Sequence, residues 1–169
     1  MNGTSFFRIF VYGFLLLALS SVTSAHAAAT GEFKGSMIAN GTRSPFPFAD
    51  AREAFTFKLA GHVSLQTPLG EKKDYWSECI GLADSATGIT GRRLWKDLAG
   101  PEIYITLQSD HLQQGGQVTG TIVGGTGKLA GISGELSFSW SSVITQTDAE
   151  GNVNVTGESR NLGGRYRIP

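Results

Sequence analysis

The feature that most constrains this chain is a two-residue alternation of apolar and polar side chains, interrupted by turn signals at intervals of roughly ten to fifteen residues. The alternation is clearest over residues 54–67, where apolar residues fall at spacing two around Gly61: Phe55, Phe57, Leu59, Val63 and Leu65. Because successive side chains of a strand point to opposite faces, the pattern predicts strands with one buried and one solvated face. No stretch shows the apolar stripe of an amphipathic helix, which repeats about every 3.6 residues.

The same alternation, with turn residues between its segments, predicts an all-β domain of eight antiparallel strands. They span residues 31–38, 54–67, 74–83, 89–96, 103–108, 117–123 and 135–146, and the last consists of residues 152–159 and 164–168, with a break at Gly163–Gly164. Residues 40–51 are predicted to form a loop, because Pro45 and Pro47 are incompatible with a central strand. Strands of this length joined by short turns favour a single up-and-down barrel, since closure leaves no edge strand exposed. An open sandwich is the alternative architecture.

The first residues resemble a secretory signal peptide rather than part of the fold. Arg8 precedes an apolar run, Ile9 to Leu19, and Ala25-His26-Ala27 supplies a small-residue cleavage site. We therefore predict a signal peptide at residues 1–27, cleavage after Ala27, a barrel domain at residues 28–169, and a secreted or periplasmic protein. The run is shorter than the roughly 20 residues that span a bilayer, so no stable membrane insertion is expected after processing. An uncleaved amphipathic anchor is the alternative.

Composition narrows the classes of partner. The chain has 14 basic and 14 acidic residues, and this balance gives no reason to expect nucleic acid or an anionic membrane surface as a partner. Cys79 is the single cysteine, so an intrachain disulfide is impossible. His62 and His111, the histidines outside the predicted signal peptide, are far apart on a polar strand face and in a turn. No metal site and no cofactor are predicted.

A glycine-dense segment, Gly124 to Gly134, lies between two of the predicted strands. A phosphate-binding loop would need a hydroxyl residue after its lysine and a helix behind it. Here Lys128 is followed by Leu129 and then by a strand. The segment is therefore predicted to be a structural hairpin, in which glycine permits positive φ and close backbone approach.

This segment, Gly-Gly-Thr-Gly-Lys-Leu-Ala-Gly-Ile-Ser-Gly, resembles the hairpin of allene oxide cyclase-like and dirigent-like barrels, including uncharacterised bacterial secreted proteins. Residues 77–84 and 93–104 are similar to central strands of the bacterial members. The resemblance implies an eight-stranded, calycin-like antiparallel barrel and, by family habit, a homo-oligomer. Some relatives carry a second cysteine near the position of Arg92 or Arg93, which this chain lacks. The plant members are an isomerase and proteins that steer radical coupling, but none of their catalytic residues can be placed here, and fold does not imply function.

The candidate site residues lie on and near one predicted strand. Glu78 shares a face with Trp76, and an inward orientation would surround its carboxylate with apolar groups, as in a general acid or a ligand-orienting group. An outward-facing strand, or an ion pair with an arginine, is the alternative. Glu78 is the weak catalytic candidate, and the ligand-binding candidates are Trp76, Glu78, Cys79 and Tyr104. Cys79 is interpreted either as a nucleophile or as a small buried hydrophobe.

Three functions remain open from the sequence. The barrel binds a small apolar ligand, or it is a cyclase- or isomerase-type enzyme that orients an apolar substrate in its lumen, or it is a structural or interaction module with a filled lumen. A lumen of about 300 Å³ or more with Glu78 at its wall would favour a ligand or an enzyme site. Phe46 and Phe48 are expected either to plug one end of the fold or to form the lip of a binding site.

Overall fold

The structure, a computed structural model, describes residues 28–49, 51–98 and 100–169. These residues form a closed barrel in which each strand pairs antiparallel with its neighbour in sequence and β8 pairs with β1. The strands are β1 (Ala29–Pro45), β2 (Ala54–Gln66), β3 (Lys72–Asp84), β4 (Gly88–Asp97), β5 (Glu102–Ser109), β6 (Gln117–Gly125), β7 (Ser133–Thr147) and β8 (Val153–Ile168). The predicted all-β, eight-stranded up-and-down barrel is confirmed, whereas the predicted signal peptide lies outside the described residues. Within those residues, no helix has the length and apolar character needed to cross a membrane.

Strand β1 is longer than the sequence predicted, because residues 40–45 belong to it rather than to a loop. Asn40 to Arg43 pair with β2 on one side and with β8 on the other. The backbone N–H of Phe46 donates to Ala54 on the β2 side, so the nitrogen of Pro45 points the other way. Pairing with β8 ends at Arg43, and the missing N–H of Pro45 therefore costs no ladder hydrogen bond.

Strand β8 is continuous, and the break predicted at Gly163–Gly164 is wrong. The irregularity lies slightly earlier, at Asn161, whose φ is 55°. The pairing of β8 shifts there against both of its neighbours, β1 and β7, as expected for one extra residue in β8. Asparagine tolerates this left-handed conformation better than most residues. The bulge lets Ser159 and Leu162, three positions apart, both point into the barrel, where both are buried.

The barrel core is packed solid at one end. This closed end carries the β2–β3, β4–β5 and β6–β7 connections. The ring of Trp95 lies 6.1 Å from that of Phe33 and 6.0 Å from that of Tyr75, and Phe33 also stacks on Tyr166 at 6.5 Å. Ile132, from the β6–β7 connection, is buried in the same cluster. Side chains therefore fill this half of the lumen.

The glycine-dense hairpin forms the β6–β7 connection at the closed end. Its connection makes a short 3₁₀ turn, Gly127–Leu129, and both Gly127 and Gly131 have positive φ values, 56° and 75°. Gly134 serves a different purpose, since a Cβ there would stand 2.2 Å from the carbonyl oxygen of Arg165. Glycine is needed at Gly134 for close approach of two strands, and at the other two positions for conformation.

Candidate functional site

The half of the lumen nearer the other end of the barrel, the open end, contains a cavity of ≈ 90 Å³. The open end carries the β1–β2, β3–β4, β5–β6 and β7–β8 connections. The cavity is well above the roughly 10–15 Å³ that one water needs, but below the roughly 300–1,000 Å³ typical of drug-sized ligand sites. Its wall is mainly apolar and includes Phe55, Phe57, Ala83, Leu107, Leu112, Val118, Phe138, Trp140 and Val155.

A buried arginine forms part of the cavity wall. Arg93 lies on β4, directly opposite Cys79 of β3, and is only 6% exposed. Its Nη1 donates to the sulfur of Met37 on β1, and its guanidinium carbon lies 5.2 Å from the ring centroid of Phe138 on β7. Neither β1 nor β7 neighbours β4 in the sheet, so the Arg93 side chain reaches across the lumen.

A second arginine lies near the mouth of the cavity. Nη2 of Arg43 donates to the hydroxyl of Ser142 at 2.5 Å. The guanidinium carbon lies 4.9 Å from the ring centroid of Phe55 and 5.4 Å from that of Trp140, which are cation–π distances. Burial lowers the pKa of Arg43, while the charge of Glu53 opposes that shift. Arginine nevertheless keeps its charge at any ordinary pH.

The cavity is rich in hydrogen-bond donors that have no partner. Among the described residues that line it, three buried side-chain polar atoms make no hydrogen bond: Arg93 Nε, Trp140 Nε1 and Ser159 Oγ. Pairing places Ser159 next to Trp140 on one side and next to Met37, the contact of Arg93, on the other. Buried polar groups in native proteins are nearly always satisfied, so three such donors around one cavity call for an explanation.

Negatively charged side chains are scarce around the cavity. Of the described residues around the cavity, the one carboxylate is that of Glu158, which is exposed and lies 2.6 Å from Nη2 of Arg160. Asp84, buried near the open end, pairs with Arg52 at 2.8 Å. No carboxylate of the described residues forms an ion pair with Arg93. The cavity therefore combines an apolar wall with two cations.

The site residues that the sequence predicts lie on opposite sides of the barrel wall. Cys79 is 3% exposed and lines the cavity, whereas Trp76 is 37% exposed, Tyr104 is 39% exposed, and Glu78 lies on the outer face with them. The possible inward orientation of Glu78 is thus corrected, and the outward alternative holds. The reason is the strand period of two, since Tyr75, Ser77 and Cys79 occupy the inward positions of β3.

On the outer face these residues have ordinary local partners. Trp76 Nε1 donates to Glu78 at 3.1 Å, and the ring of His62 meets that of Trp76 edge-on at 5.0 Å. The hydroxyl of Tyr104 donates to Glu102 at 2.9 Å, and this hydrogen bond is the largest cause of the raised pKa of Tyr104. None of the three outward candidates, Trp76, Glu78 and Tyr104, lines the cavity that Cys79 lines.

Phe46 and Phe48 do not plug the barrel. Their rings stack on each other at 6.3 Å, both are about half exposed, and neither lines the cavity. Arg52 lies over Phe48 at 4.8 Å. The pair sits on the β1–β2 connection at the open end, which is where a lip would be.

Sequence reasoning missed both arginines of the cavity. Arg93 could have been found, because Gly91, Arg93 and Trp95 alternate as inward positions of β4. Arg43 was hidden by the assignment of residues 40–51 to a loop. In the part of the chain that the structure describes, no group of three or more His, Cys, Asp or Glu residues could hold a metal ion.

No protein-family model matches the chain, and no curated protein matches it either. The eight-stranded barrel agrees with the architecture that the resemblance to allene oxide cyclase-like proteins implies, but many families share such barrels. The family therefore stays a prediction.

Proposed function

We propose that this protein is an exported barrel that binds a small, mainly apolar molecule in the cavity at its open end. The observation that carries the proposal is the combination of an apolar cavity with three buried donors that lack partners. An apolar wall favours burial of a hydrocarbon body, and a few convergent polar groups fix its orientation, as in most small-molecule sites. The predicted signal peptide supports export.

The cavity limits the size of the ligand. At ≈ 90 Å³ it is smaller than the roughly 150 Å³ cavity that accepts benzene in an engineered protein core. A short alkyl chain is therefore the natural occupant. A body as large as hexanol or hexanoate, which have more heavy atoms than benzene, requires Leu112 or Trp140, at the mouth, to move outward; both are only partly buried.

Binding is preferred to the two alternatives for specific reasons. An isomerase acting through Glu78 would need that carboxylate in the lumen, and it lies outside. A wholly filled structural module fits the closed end, where aromatic side chains meet, but it leaves the partnerless donors around the cavity unexplained. An enzyme that works by confinement alone would still begin by binding in this cavity.

A pair of matched alanine substitutions tests the proposal. Ala83 is 1% exposed and lines the cavity, whereas Ala60 lies on the outer face of β2, between Asn40 and Glu78. We expect a titration with hexanol, followed by methyl NMR, to shift signals of Leu107 and Val118 in the native protein. Ala83→Leu should weaken that binding at least tenfold because it fills the cavity, and Ala60→Leu should leave it unchanged.

Two results would contradict the proposal. One is the absence of saturable shifts at the luminal methyl groups up to the solubility limit of hexanol. The other is equal hexanol affinity in the native protein and in a folded Ala83→Leu variant, which would place any binding outside the cavity. A thermal melt of each variant establishes that both are folded.

A further inference from the structure

Building on the proposed function, we infer that the ligand carries a single carboxylate, which Arg93 binds at the inner wall of the cavity, so that the natural occupant is a short-chain monocarboxylic acid. The apolar wall would surround the chain, and the free edge of the Arg93 guanidinium would bind the head group. Four observations carry this inference: the charge of the cavity, the free edge of the Arg93 guanidinium, the nature of the partnerless atoms, and the apolar remainder.

The first observation is the uncompensated charge of Arg93. A guanidinium cannot lose its proton in a protein, so Arg93 is a cation at 6% exposure. Burying a charge without an opposite charge is costly, and buried arginines are normally paired with carboxylates. The sulfur of Met37 and the ring of Phe138 are weak partners that offer no negative charge. An anion beside Arg93 would supply the missing compensation.

The second observation is that one edge of the Arg93 guanidinium has no hydrogen-bond partner among the described residues. Nη1 is occupied by Met37, whereas Nε is buried without a partner and no hydrogen bond from Nη2 occurs within the described residues. Nε and Nη2 lie side by side on a planar fork, and this edge matches the two oxygens of a carboxylate. The geometry thus favours a bidentate head group over a single acceptor such as an alcohol.

The third observation is that the partnerless polar atoms can all donate a hydrogen bond. The indole of Trp140 is a donor only, and the hydroxyl of Ser159 can donate as well as accept. A carboxylate is an acceptor at both oxygens and can accept several hydrogen bonds at once. A ligand with its own donors, such as an amine, would face a cavity with two cations and no free carboxylate.

The fourth observation excludes a highly charged ligand. Beyond Arg93 the wall is formed by hydrocarbon side chains, among them Leu107, Val118 and Val155. A second negative group on the ligand would have to lie against this wall or reach Arg43 at the mouth, already bonded to Ser142. One carboxylate with a short apolar tail satisfies both parts of the cavity.

The test compares hexanoate with hexanol, which share a chain and differ in the head group, near pH 7.5 where hexanoate is ionised. We expect hexanoate to bind at least tenfold more tightly to the native protein, and to shift the side-chain Nε–Hε signal of Arg93 in an NMR spectrum. Arg93→Met, which keeps an unbranched side chain but removes the charge, should bring the two affinities together. Arg92→Met, one position away on the outer face, should keep the preference.

The outcomes separate the inference from the proposed function. If neither compound binds in the lumen, both fail. If hexanol binds as tightly as hexanoate, or if Arg93→Met keeps the preference, the cavity still takes a small molecule but the carboxylate inference is overturned. A preference that disappears with Arg93→Met and persists with Arg92→Met supports it.

A second measurement needs no variant, in case Arg93→Met does not fold. Cys79 faces Arg93 across the β3–β4 pair and is the single cysteine of the chain, so alkylation reports on this place alone. We expect the ratio of the iodoacetate rate to the iodoacetamide rate to be at least tenfold higher in the folded protein than in urea, because only iodoacetate carries a carboxylate. Butyrate should lower the rate at which iodoacetate alkylates Cys79 in the folded protein. An equal ratio in the folded and unfolded chains would overturn the inference.

Discussion

At the scale of single residues, the barrel places a charged side chain, that of Arg93, at an inward position where an apolar side chain is expected. Arg93 occupies an inward position of β4 between Gly91 and Trp95, both also inward. Removal of one partner from a buried ion pair usually destabilises a protein, but Arg93 forms no ion pair with any carboxylate of the described residues. The carboxylate of the proposed ligand would supply the negative charge that this position lacks.

Gly134 illustrates a residue whose role is purely steric. Its missing side chain lets β7 and β8 approach, and any Cβ would stand 2.9 Å from Cα of Tyr166 as well as 2.2 Å from the Arg165 carbonyl oxygen. We expect Gly134→Val to lower the free energy of unfolding by about 1–3 kcal/mol, because backbone atoms on both strands must move. Urea denaturation at neutral pH measures this change.

Gly124 supplies the matched control for that substitution. It belongs to the same glycine-dense segment, but a Cβ there would meet only Tyr104, at 3.8 Å, an ordinary contact. Gly124→Val should therefore change the free energy of unfolding by no more than about 0.5 kcal/mol. Equal losses for the two variants would show that close approach at Gly134 is not the constraint.

At the scale of elements, the open end is held by side chains that join neighbouring connections. Arg52, from the β1–β2 connection, donates through Nε to Asp84 at 2.8 Å, and the backbone N–H of Ala86 donates to the same carboxylate at 2.8 Å. The Arg52 hydrogen bond is the largest cause that lowers the pKa of Asp84, followed by that of Ala86. This carboxylate ties the β1–β2 connection to the β3–β4 turn beside the cavity.

The Asp84 contact predicts a dependence of stability on pH. Because the pKa of Asp84 is lower in the folded state, its contribution is fully present above the unfolded pKa of about 3.9 and is lost as pH falls through the folded value. Native protein should therefore exceed Asp84→Asn in free energy of unfolding by a constant amount from pH 7 to about pH 4, and by less below that. Urea titrations across this range measure the difference.

Arg52→Gln is the reciprocal variant for this prediction. Without the guanidinium, the pKa of Asp84 should move back toward its usual value, and the acid-dependent difference between this variant and native protein should follow the same pH range. A difference between native protein and Asp84→Asn that stays constant below pH 4 would show that the carboxylate and Arg52 contribute nothing specific to the folded state.

At the scale of the whole molecule, the two ends of the barrel differ in what fills them. The closed end holds Phe33, Tyr75 and Trp95 in mutual contact, with Ile132 packed beneath the β6–β7 hairpin. The open end holds the cavity, its two arginines and the stacked pair of Phe46 and Phe48. The barrel is therefore packed with aromatic side chains at one end and contains a cavity near the other.

The fold was predictable because a barrel repeats one signal along the whole chain. The period of two predicts the buried face of β2, which is confirmed at Phe55 and Val63, and the other strands repeat the same signal. The site was not predictable in the same way. Alternation alone does not tell which face of β3 points into the barrel. Both faces of this strand carry apolar residues, and each has an aromatic residue, Trp76 on one and Tyr75 on the other.

Other details depend on long-range pairing that local sequence does not encode. The extension of β1 to Pro45 depends on where β8 stops, and the bulge at Asn161 depends on two ladders that must both shift. The contact between Arg93 and Met37 joins residues on opposite walls of the lumen. Such contacts follow from barrel closure, so alternation within single strands cannot reveal them.

A crystal of this protein soaked in hexanoate shows at once whether the lumen is open and which residues hold a ligand there. We expect electron density for one hexanoate inside the open end, with its carboxylate on the Nε and Nη2 edge of Arg93 and its chain directed toward Leu112. Side chains filling the cavity, with no ligand in the lumen at a concentration that saturates the protein in solution, would contradict it.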